Sequence, residues 1–370
     1  MSPFPRTDRG LLANWWWTLD RALLSGLLVI ALVGVVMVFA ASPPIARRLG
    51  YEETRFVVKH LTFLLPAILL LLGTSLLAPR GVLRAALLLL AGFGLLLLLT
   101  PFVAAEIKGA RRWVSVGGLL LQPSEFVKPA LAVVTAWLLA RRPGMAGVPQ
   151  AAALNGLVLL LLVIQPDLGM SALVVAVFGV QLFVAGLPWP FIGGLAGLGA
   201  AGLYGAYLAF PHVQTRIDDF LDPSKESYQV EAALSAVTSG GLFGRGPGEG
   251  VVKFYLPEAH SDFVFATLTE EFGAVAALLV LVLFGFVVLR GLWRAYEARD
   301  RFVQLAAVGL LAQFGLQALV NMAVNLNLLP TKGMTLPFVS YGGSSLLALA
   351  IGMGMLLALT RAGARLEGAP

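Results

Sequence analysis

Long apolar runs alternate with short polar segments along almost the whole chain. A helix that spans a bilayer needs about 20 mostly apolar residues. Such runs cover residues 22–41, 57–77, 82–100, 124–140, 150–164, 168–211, 263–289, 302–329 and 342–360. The run 168–211 is too long for one helix, and Pro188 and Pro190 divide it, because proline ends helices. The pattern therefore predicts an all-α polytopic membrane protein with ten transmembrane helices.

Three polar segments complete this predicted architecture, which we treat as one membrane domain over 1–370. They are a basic, tryptophan-bearing arm at 1–20, a loop at 211–261 between the seventh and eighth helices, and a tail at 361–370. Ten spans put both termini on one side of the membrane. Short segments on that side are rich in arginine, and such segments are usually cytoplasmic. We therefore expect an N-in, C-in topology with the long loop outside the cytoplasm.

Composition agrees with a membrane location and removes several functions. Hydrophobic residues make up 58% of the chain and charged residues 12%, against about 25% charged residues in soluble domains. The absence of cysteine excludes disulfides, iron–sulfur clusters and cysteine-bound zinc. A net charge of +6 suits contact with anionic membrane lipids. No basic cluster with interleaved aromatic residues occurs, so we expect no nucleic-acid partner.

The stretch 255–267 carries an unusual group of titratable side chains just before an apolar run. Glu258, His260 and Asp262 occupy alternate positions. Ionisable groups at membrane depth are functional candidates by default. The alternative is a polar helix start, with Ser261 or Asp262 as the N-cap. The residues alone leave both interpretations open, along with a metal site suggested by the alternate spacing.

Further polar clusters are predicted at the same outer face. Glu125 and Lys128 share one face of the fourth helix if Ser124 caps it. They could form a structural ion pair, but apolar residues could replace such a pair without loss, which favours a functional cation. Asp167 is best explained as the N-cap of the sixth helix. The glycine-rich segment 239–248 could approach a ligand closely or simply form turns.

The segment 329–345 resists helix formation and carries Lys332 among apolar neighbours. Irregular backbone at membrane depth is tolerated only in a protein-lined cavity. One carboxylate, Asp262, thus faces several cations. These are Arg111, Arg112, Lys128, Arg245 and Lys332. Basic side chains neutralise phosphate and a carboxylate can act as a base, so the pattern suits an anionic, diphosphate-bearing substrate with a lipid tail.

Five ordered motifs carry a family resemblance over about residues 20–360. They are Lys108–Trp113, Gln122–Lys128, Gln165–Gly169, Leu256–Phe265 and Pro330–Gly343. The chain resembles the SEDS family (shape, elongation, division and sporulation) of bacterial cell-wall polymerases. Within the family, Leu256–His260 and Pro330–Gly333 favour the division branch over the elongation branch. Ser261 stands where the family usually has threonine, and the hydroxyl is kept.

The resemblance implies an inverting peptidoglycan glycosyltransferase in the bacterial cytoplasmic (inner) membrane. It would polymerise lipid II at the extracytoplasmic side, with the growing chain on undecaprenyl diphosphate as donor and Asp262 as general base. Residues expected to bind substrate are Gln122, Glu125, Lys128, Arg111, Arg112, His260, Lys332 and Ser340. A divalent cation, Mg²⁺ or Mn²⁺, could assist the diphosphate leaving group, and no tightly bound cofactor is expected.

The expected partner is a class B penicillin-binding protein that supplies the transpeptidase, together with other divisome or elongasome proteins. Two rival functions fit parts of the pattern. Polar pockets and split helices would also suit a lipid II flippase. A non-catalytic scaffold is the other rival, although charges within the spans are hard to justify on that view.

Overall fold

The computed structural model describes residues 10–107, 110–141, 146–209, 211–221, 228–330 and 333–364. The first helices are α1 Leu11–Thr18, α2 Arg21–Arg48, α3 Arg55–Ser75, α4 Pro79–Val103, α5 Pro123–Ala140, α6 Val148–Ile164 and α7 Leu168–Val184. They are followed by α8 Trp189–Ala209, α9 Pro211–Leu221, α10 Tyr228–Gly240, α11 Val264–Glu297, α12 Arg301–Asn325 and α13 Gly343–Leu359. Each predicted apolar run falls on one of these helices, except 168–211, which covers α7 and α8 as predicted.

Among the described residues, six helices are long and apolar enough to cross a membrane: α2, α3, α4, α8, α11 and α12. The helices α6, α7 and α13 are apolar but shorter. The chain is therefore a mostly helical membrane protein, and the count of ten spans and their orientation stay predictions. The predicted span 302–329 was too long at its C-terminal end, because α12 ends at Asn325.

The prediction of an all-α chain was wrong in one place, between α4 and α5. Three short strands, β1 Ala105–Ile107, β2 Ala110–Val116 and β3 Leu119–Leu121, form an antiparallel sheet in the order β1-β2-β3. Val116 pairs with Leu119 across a two-residue turn. Gly117 and Gly118 both have positive φ there, 59° and 82°, which a tight hairpin turn of this kind requires.

The predicted outer loop at 211–261 is partly helical. It contains α9, α10 and a 3-10 turn at Val252–Phe254. α10 packs against α11 and keeps this segment close to the helix bundle. The loop therefore forms a structured cover over one end of α11.

The interior of the bundle is formed by α5, α12 and α13. Almost every side chain of α5 and α13 is buried, including the polar residues of α5 at its first turns. α13 packs on α3, and α5 packs on both α4 and α12. Charged groups on α5 must therefore find partners within the protein, because lipid and apolar side chains offer none.

Candidate active site

Asp262 lies in the turn that leads into α11. The helix begins at Val264, and its N-cap residue, Phe263, makes no side-chain capping bond. The interpretation of Ser261 or Asp262 as the N-cap is therefore wrong. Ser261 instead donates its hydroxyl to Glu258 Oε2 at 2.9 Å, and the Asp262 side chain is half-buried.

Two asparagines of α12 fix the main chain of this turn. Asn321 Nδ2 and Asn325 Nδ2 donate hydrogen bonds to the main-chain oxygen of Asp262 at 2.8 and 2.9 Å. Asn325 Oδ1 also accepts a bond from Ala266 N at 2.9 Å, in the first turn of α11. These bonds hold the main chain at Asp262 and at Ala266 to α12.

The irregular segment between α12 and α13 packs on the other side of the turn. Ser340 Oγ donates to the main-chain oxygen of Ser261, and Tyr341 N donates to that of His260 at 2.8 Å. A Cβ atom built on Gly333 would lie 3.0 Å from Asp262 Oδ2, so the carboxylate lies directly against this segment. Ser340 thus lies next to the Asp262 turn, its expected role in substrate binding stays a prediction, and Lys332 lies outside the described residues.

Glu125 and Lys128 form the predicted ion pair on α5. Lys128 Nζ lies 3.0 Å from Glu125 Oε2, and both side chains are almost fully buried. The ammonium also donates to Gln317 Oε1 at 3.1 Å and contacts Met170 Sδ at 3.3 Å. The expected cap, Ser124, is instead inside the helix, which starts at Pro123.

A continuous set of polar contacts links this ion pair to the Asp262 turn along α12. Gln317 Nε2 donates to the main-chain oxygen of Thr335 at 3.0 Å, and Asn321 Nδ2 donates to that of Met334 at 2.6 Å. Residues 317, 321 and 325 are spaced by four, so they share one face of the helix. The α5 ion pair, the 333–342 segment and the Asp262 turn are therefore positioned by one helix face.

Arg112 and Gln122 surround the start of α7. Arg112 Nε donates to the main-chain oxygen of Gln165 at 3.0 Å, and its Nη1 lies 3.8 Å from Asp167 Oδ1. Gln122 Nε2 donates weakly to Asp167 Oδ2 at 3.4 Å. Asp167 caps α7 as predicted, by accepting a bond from Met170 N.

The remaining candidates differ in how much of their surface is available. Arg111 is half-exposed on the hairpin, with its Nε 4.0 Å from Glu106 Oε2. His260 is buried and packs against the rings of Phe56 and Tyr341 at tilted angles, with centroid distances of 4.8 and 5.1 Å. Within the described ranges, no group of three or more acidic or histidine side chains could hold a metal ion. The metal triad suggested by the spacing of Glu258, His260 and Asp262 is therefore wrong.

Comparison with known proteins identifies the family. The family model of FtsW, RodA and SpoVE, described as cell cycle proteins, matches residues 21–364. The chain is 44% identical to a probable peptidoglycan glycosyltransferase FtsW of Caulobacter vibrioides, over 97% of this chain and 93% of the relative. It is 36% identical to the FtsW of Escherichia coli O157:H7, over 91% of this chain and 85% of the relative.

The chain belongs to the FtsW/RodA/SpoVE family.

Solved structures agree with this assignment. A chain of a peptidoglycan synthase complex, described as coordinating polymerization and crosslinking, superposes with a TM-score of 0.80 at 30% identity, covering 93% of this chain and 98% of that chain. The rod shape determining protein RodA of Thermus thermophilus gives a TM-score of 0.70 at 30% identity, covering 93% and 97%. The predicted SEDS membership is confirmed, and the curated relatives named above make the chain FtsW-like.

Two acids that the sequence analysis left without a role organise the outer loop of this FtsW-like chain. Glu270 is fully buried and accepts hydrogen bonds from Val251 N, Val252 N and Lys253 N at 2.6, 2.7 and 3.0 Å. Glu271 is also fully buried and forms an ion pair with Lys253. The sequence signal for this role was the occurrence of two adjacent acids within an apolar run. It did not indicate their partners, which lie about twenty residues earlier in the chain.

The glycine-rich segment 239–248 wraps around a break in α11. Gly273 has non-helical dihedrals, φ 82° and ψ 175°. The helix amides of Ala274 and Val275 donate to main-chain oxygens at 241 and 242, while amides at 245 and 246 donate to oxygens of Glu270 and Glu271. A Cβ at Gly240 would lie 1.9 Å from the Thr269 oxygen. The segment also forms turns at 241–243 and 247–248, as one of the two interpretations predicted. In addition, its glycines allow close packing of backbone on backbone.

Proposed function

We propose that this chain is a peptidoglycan glycosyltransferase that polymerises lipid II during septal division, with Asp262 as general base. The family and the names of the curated relatives support the reaction class. The observation that carries the role of Asp262 is its setting: a half-buried carboxylate whose main chain is held by Asn321 and Asn325. A base must be held within hydrogen-bond reach of the proton it removes, and such a support limits its movement.

The proposed reaction is a single displacement. The Asp262 carboxylate takes the proton from the 4-hydroxyl of the N-acetylglucosamine of the incoming lipid II. The oxygen attacks the anomeric carbon of the growing chain, the bond from that carbon to undecaprenyl diphosphate breaks, and the configuration inverts from α to β. One dominant carboxylate suffices, whereas a retaining glycosidase needs two. The diphosphate leaves as an anion, so it needs charge neutralisation more than a general acid.

The cations divide into two groups in this proposal. Arg111 is half-exposed and can meet a diphosphate directly, and Lys332 neighbours Gly333, which lies against Asp262. Lys128 is neutralised by Glu125, and Arg112 is engaged with the start of α7, so these two support the site from within. A divalent cation would bind mainly through the substrate diphosphate, since the described residues offer no three-ligand cage.

The reaction is tested with purified protein, a class B penicillin-binding protein, lipid II and Mg²⁺ or Mn²⁺, with glycan products separated on a gel. Asp262→Asn and Asp262→Ala should form no polymer while unfolding at the wild-type temperature. Polymer formed by Asp262→Ala at the wild-type rate would refute the proposed mechanism. A change only in lipid II movement across vesicles would favour a flippase. The penicillin-binding protein is proposed as partner because a similar chain was solved in a peptidoglycan synthase complex.

The proposed location places the Asp262 turn on the extracytoplasmic side of the inner membrane, with both termini in the cytoplasm. The chain has no cysteine, so single cysteines can be introduced without a background signal. Ser239→Cys should react with a membrane-impermeant maleimide in intact spheroplasts, and Ala298→Cys should react only after lysis. Depletion should block septation and give filaments, whereas rounded cells would assign the chain to elongation.

A further inference from the structure

A strip of aromatic side chains runs from the connection between α2 and α3 to the Asp262 turn. The rings of Tyr51 and Phe56 are 6.4 Å apart, and those of Phe56 and Tyr341 are 5.5 Å apart. Phe56 also lies 4.8 Å from His260, two residues before Asp262. Tyr51 is 43% exposed, and Phe56 and Tyr341 are partly exposed, so the strip is not a closed core.

The strip is tied to the turn that bears the proposed base. The Tyr341 amide donates to the His260 oxygen at 2.8 Å, and the preceding residue, Ser340, bonds to Ser261. The Tyr341 main chain is therefore held next to the turn that bears Asp262.

Cationic side chains accompany the strip. The Arg55 guanidinium lies over the Tyr51 ring at 3.9 Å from its centroid, and Arg55 and Lys59 are both exposed. Burial raises the pKa of the Tyr341 phenol, and the positive charge of Arg55 partly offsets this rise. Arg55 thus places a positive charge at the Tyr51 end of the strip.

Aromatic faces beside exposed cations suit a particular class of ligand. A sugar ring has an apolar face of C–H groups, and these carry a partial positive charge that the negative face of an aromatic ring attracts. Arginine and lysine bind phosphate oxygens. An amino sugar joined to a diphosphate presents both features, whereas an acyl chain would gain nothing from the cations.

We infer that Tyr51, Phe56 and Tyr341, with Arg55, form the saccharide subsite for the acceptor, a diphosphate-linked amino sugar. The inference rests on the proposed function, because the acceptor hydroxyl must reach Asp262 and the strip is the aromatic surface that touches this turn.

The test measures acceptor binding separately from turnover. A short-chain, water-soluble lipid II is titrated against the full-length Asp262→Asn protein and against the same protein carrying Tyr341→Leu or Tyr51→Leu. Loss of one stacking contact should weaken binding by about 3- to 10-fold. Tyr341→Phe keeps the ring and should retain the affinity. Tyr296→Leu, which removes an 80% exposed tyrosine at the far end of α11, is the matched control.

Turnover supplies the second measurement. In the Asp262-containing enzyme, Tyr341→Leu and Phe56→Leu should raise the KM for lipid II by a similar factor and change kcat less. Tyr51 is exposed, so Tyr51→Leu decides the question if either of those variants unfolds. Unchanged affinity and KM in the folded variants would overturn the subsite and leave the glycosyltransferase intact. An active Asp262→Asn protein would instead overturn the proposed mechanism, while the binding titration would still test the strip.

Discussion

Asn321 and Asp262 are joined by a hydrogen bond of 2.8 Å from the asparagine Nδ2 to the main-chain oxygen of the aspartate. Asn325, one turn later on α12, donates a second bond to the same oxygen and a third to the Asn321 oxygen. Two buried amides therefore share one acceptor, the main-chain oxygen of Asp262. This arrangement fixes the main chain from which the carboxylate projects.

Replacing Asn325 should consequently affect both stability and turnover. Asn325→Leu keeps the volume but leaves the buried Ala266 amide without its side-chain acceptor, and each unsatisfied group costs about 1–3 kcal/mol. Polymerisation should fall by about 100-fold, the usual effect of misplacing a catalytic group by about 1 Å. Thermal unfolding in detergent and the glycan gel measure the two effects.

Asn155→Leu is the control for this change. Asn155 is also buried and donates to Thr135 Oγ1 and the Ala151 oxygen, but it lies on α6 and makes no contact with the turn. It should lose stability comparably and keep its activity per folded molecule. Equal losses of activity in both asparagine variants would show that Asn325 is merely structural.

The Glu125–Lys128 pair allows a test that separates charge from packing. Removing one partner strands a buried charge, so Glu125→Leu and Lys128→Met should each cost about 3–5 kcal/mol. The double variant removes both charges and should recover most of that stability. If Lys128 only stabilises α5, the double variant will polymerise lipid II normally. We expect it to be folded and inactive, because the bond from Lys128 to Gln317, which connects α5 to the side chain that holds Thr335, would be lost.

The close packing of the glycine-rich segment 239–248 on α11 predicts that adding a side chain there destabilises the fold for steric reasons alone. A Cβ at Gly240 would meet the Thr269 oxygen at 1.9 Å, so Gly240→Ala must displace the loop from the helix. Overpacking of this kind typically costs about 1–3 kcal/mol. Gly205→Ala on α8 meets nothing within 4 Å and should leave the unfolding temperature unchanged or raise it slightly, because alanine favours a helix interior over glycine. Similar unfolding temperatures for the two variants would mean that the loop does not pack on α11 in solution.

These particular residues show which features could be predicted from the sequence. The helix positions followed from apolar runs, because a bilayer sets one minimum length for every span. The sheet was missed since its strands have at most seven residues and its only strong signal is the pair Gly117–Gly118. α9 and α10 were missed because the outer loop was judged by polarity alone.

Some residues of the candidate site could likewise be predicted from the sequence, and others could not. Asp262, Glu125 and Lys128 could be identified from the sequence. A charge near or within an apolar run is costly, so such a charge indicates a functional or structural role. Asn321 and Asn325 are neutral amides in an ordinary helix, and only their spacing by four hints at a shared face. The role of Glu270 depends on backbone amides at 251–253, and the sequence carries no local signal of that contact.

Asp20 provides a pH-dependent test at the other end of the bundle. Burial raises the pKa of this carboxyl, but bonds from the Leu23 amide and from Arg290 and Arg294 outweigh that effect and hold the pKa below its usual value of 3.8. A lowered pKa means that the charge stabilises the fold at every pH above the unfolded value. That stabilisation is lost as the pH falls through the lower folded pKa.

Asp20→Asn should therefore lower the free energy of unfolding by about 1–3 kcal/mol at pH 7, since it leaves two guanidinium groups without their carboxylate. The difference from wild type should stay constant from pH 8 to about pH 5 and shrink below about pH 4. Denaturant unfolding across this range measures it. Glu53→Gln, which removes an exposed ion pair with Arg47, is the control and should leave the free energy of unfolding unchanged. If the difference in unfolding free energy between Asp20→Asn and wild type grew on acidification, the assigned direction of the pKa shift would be wrong.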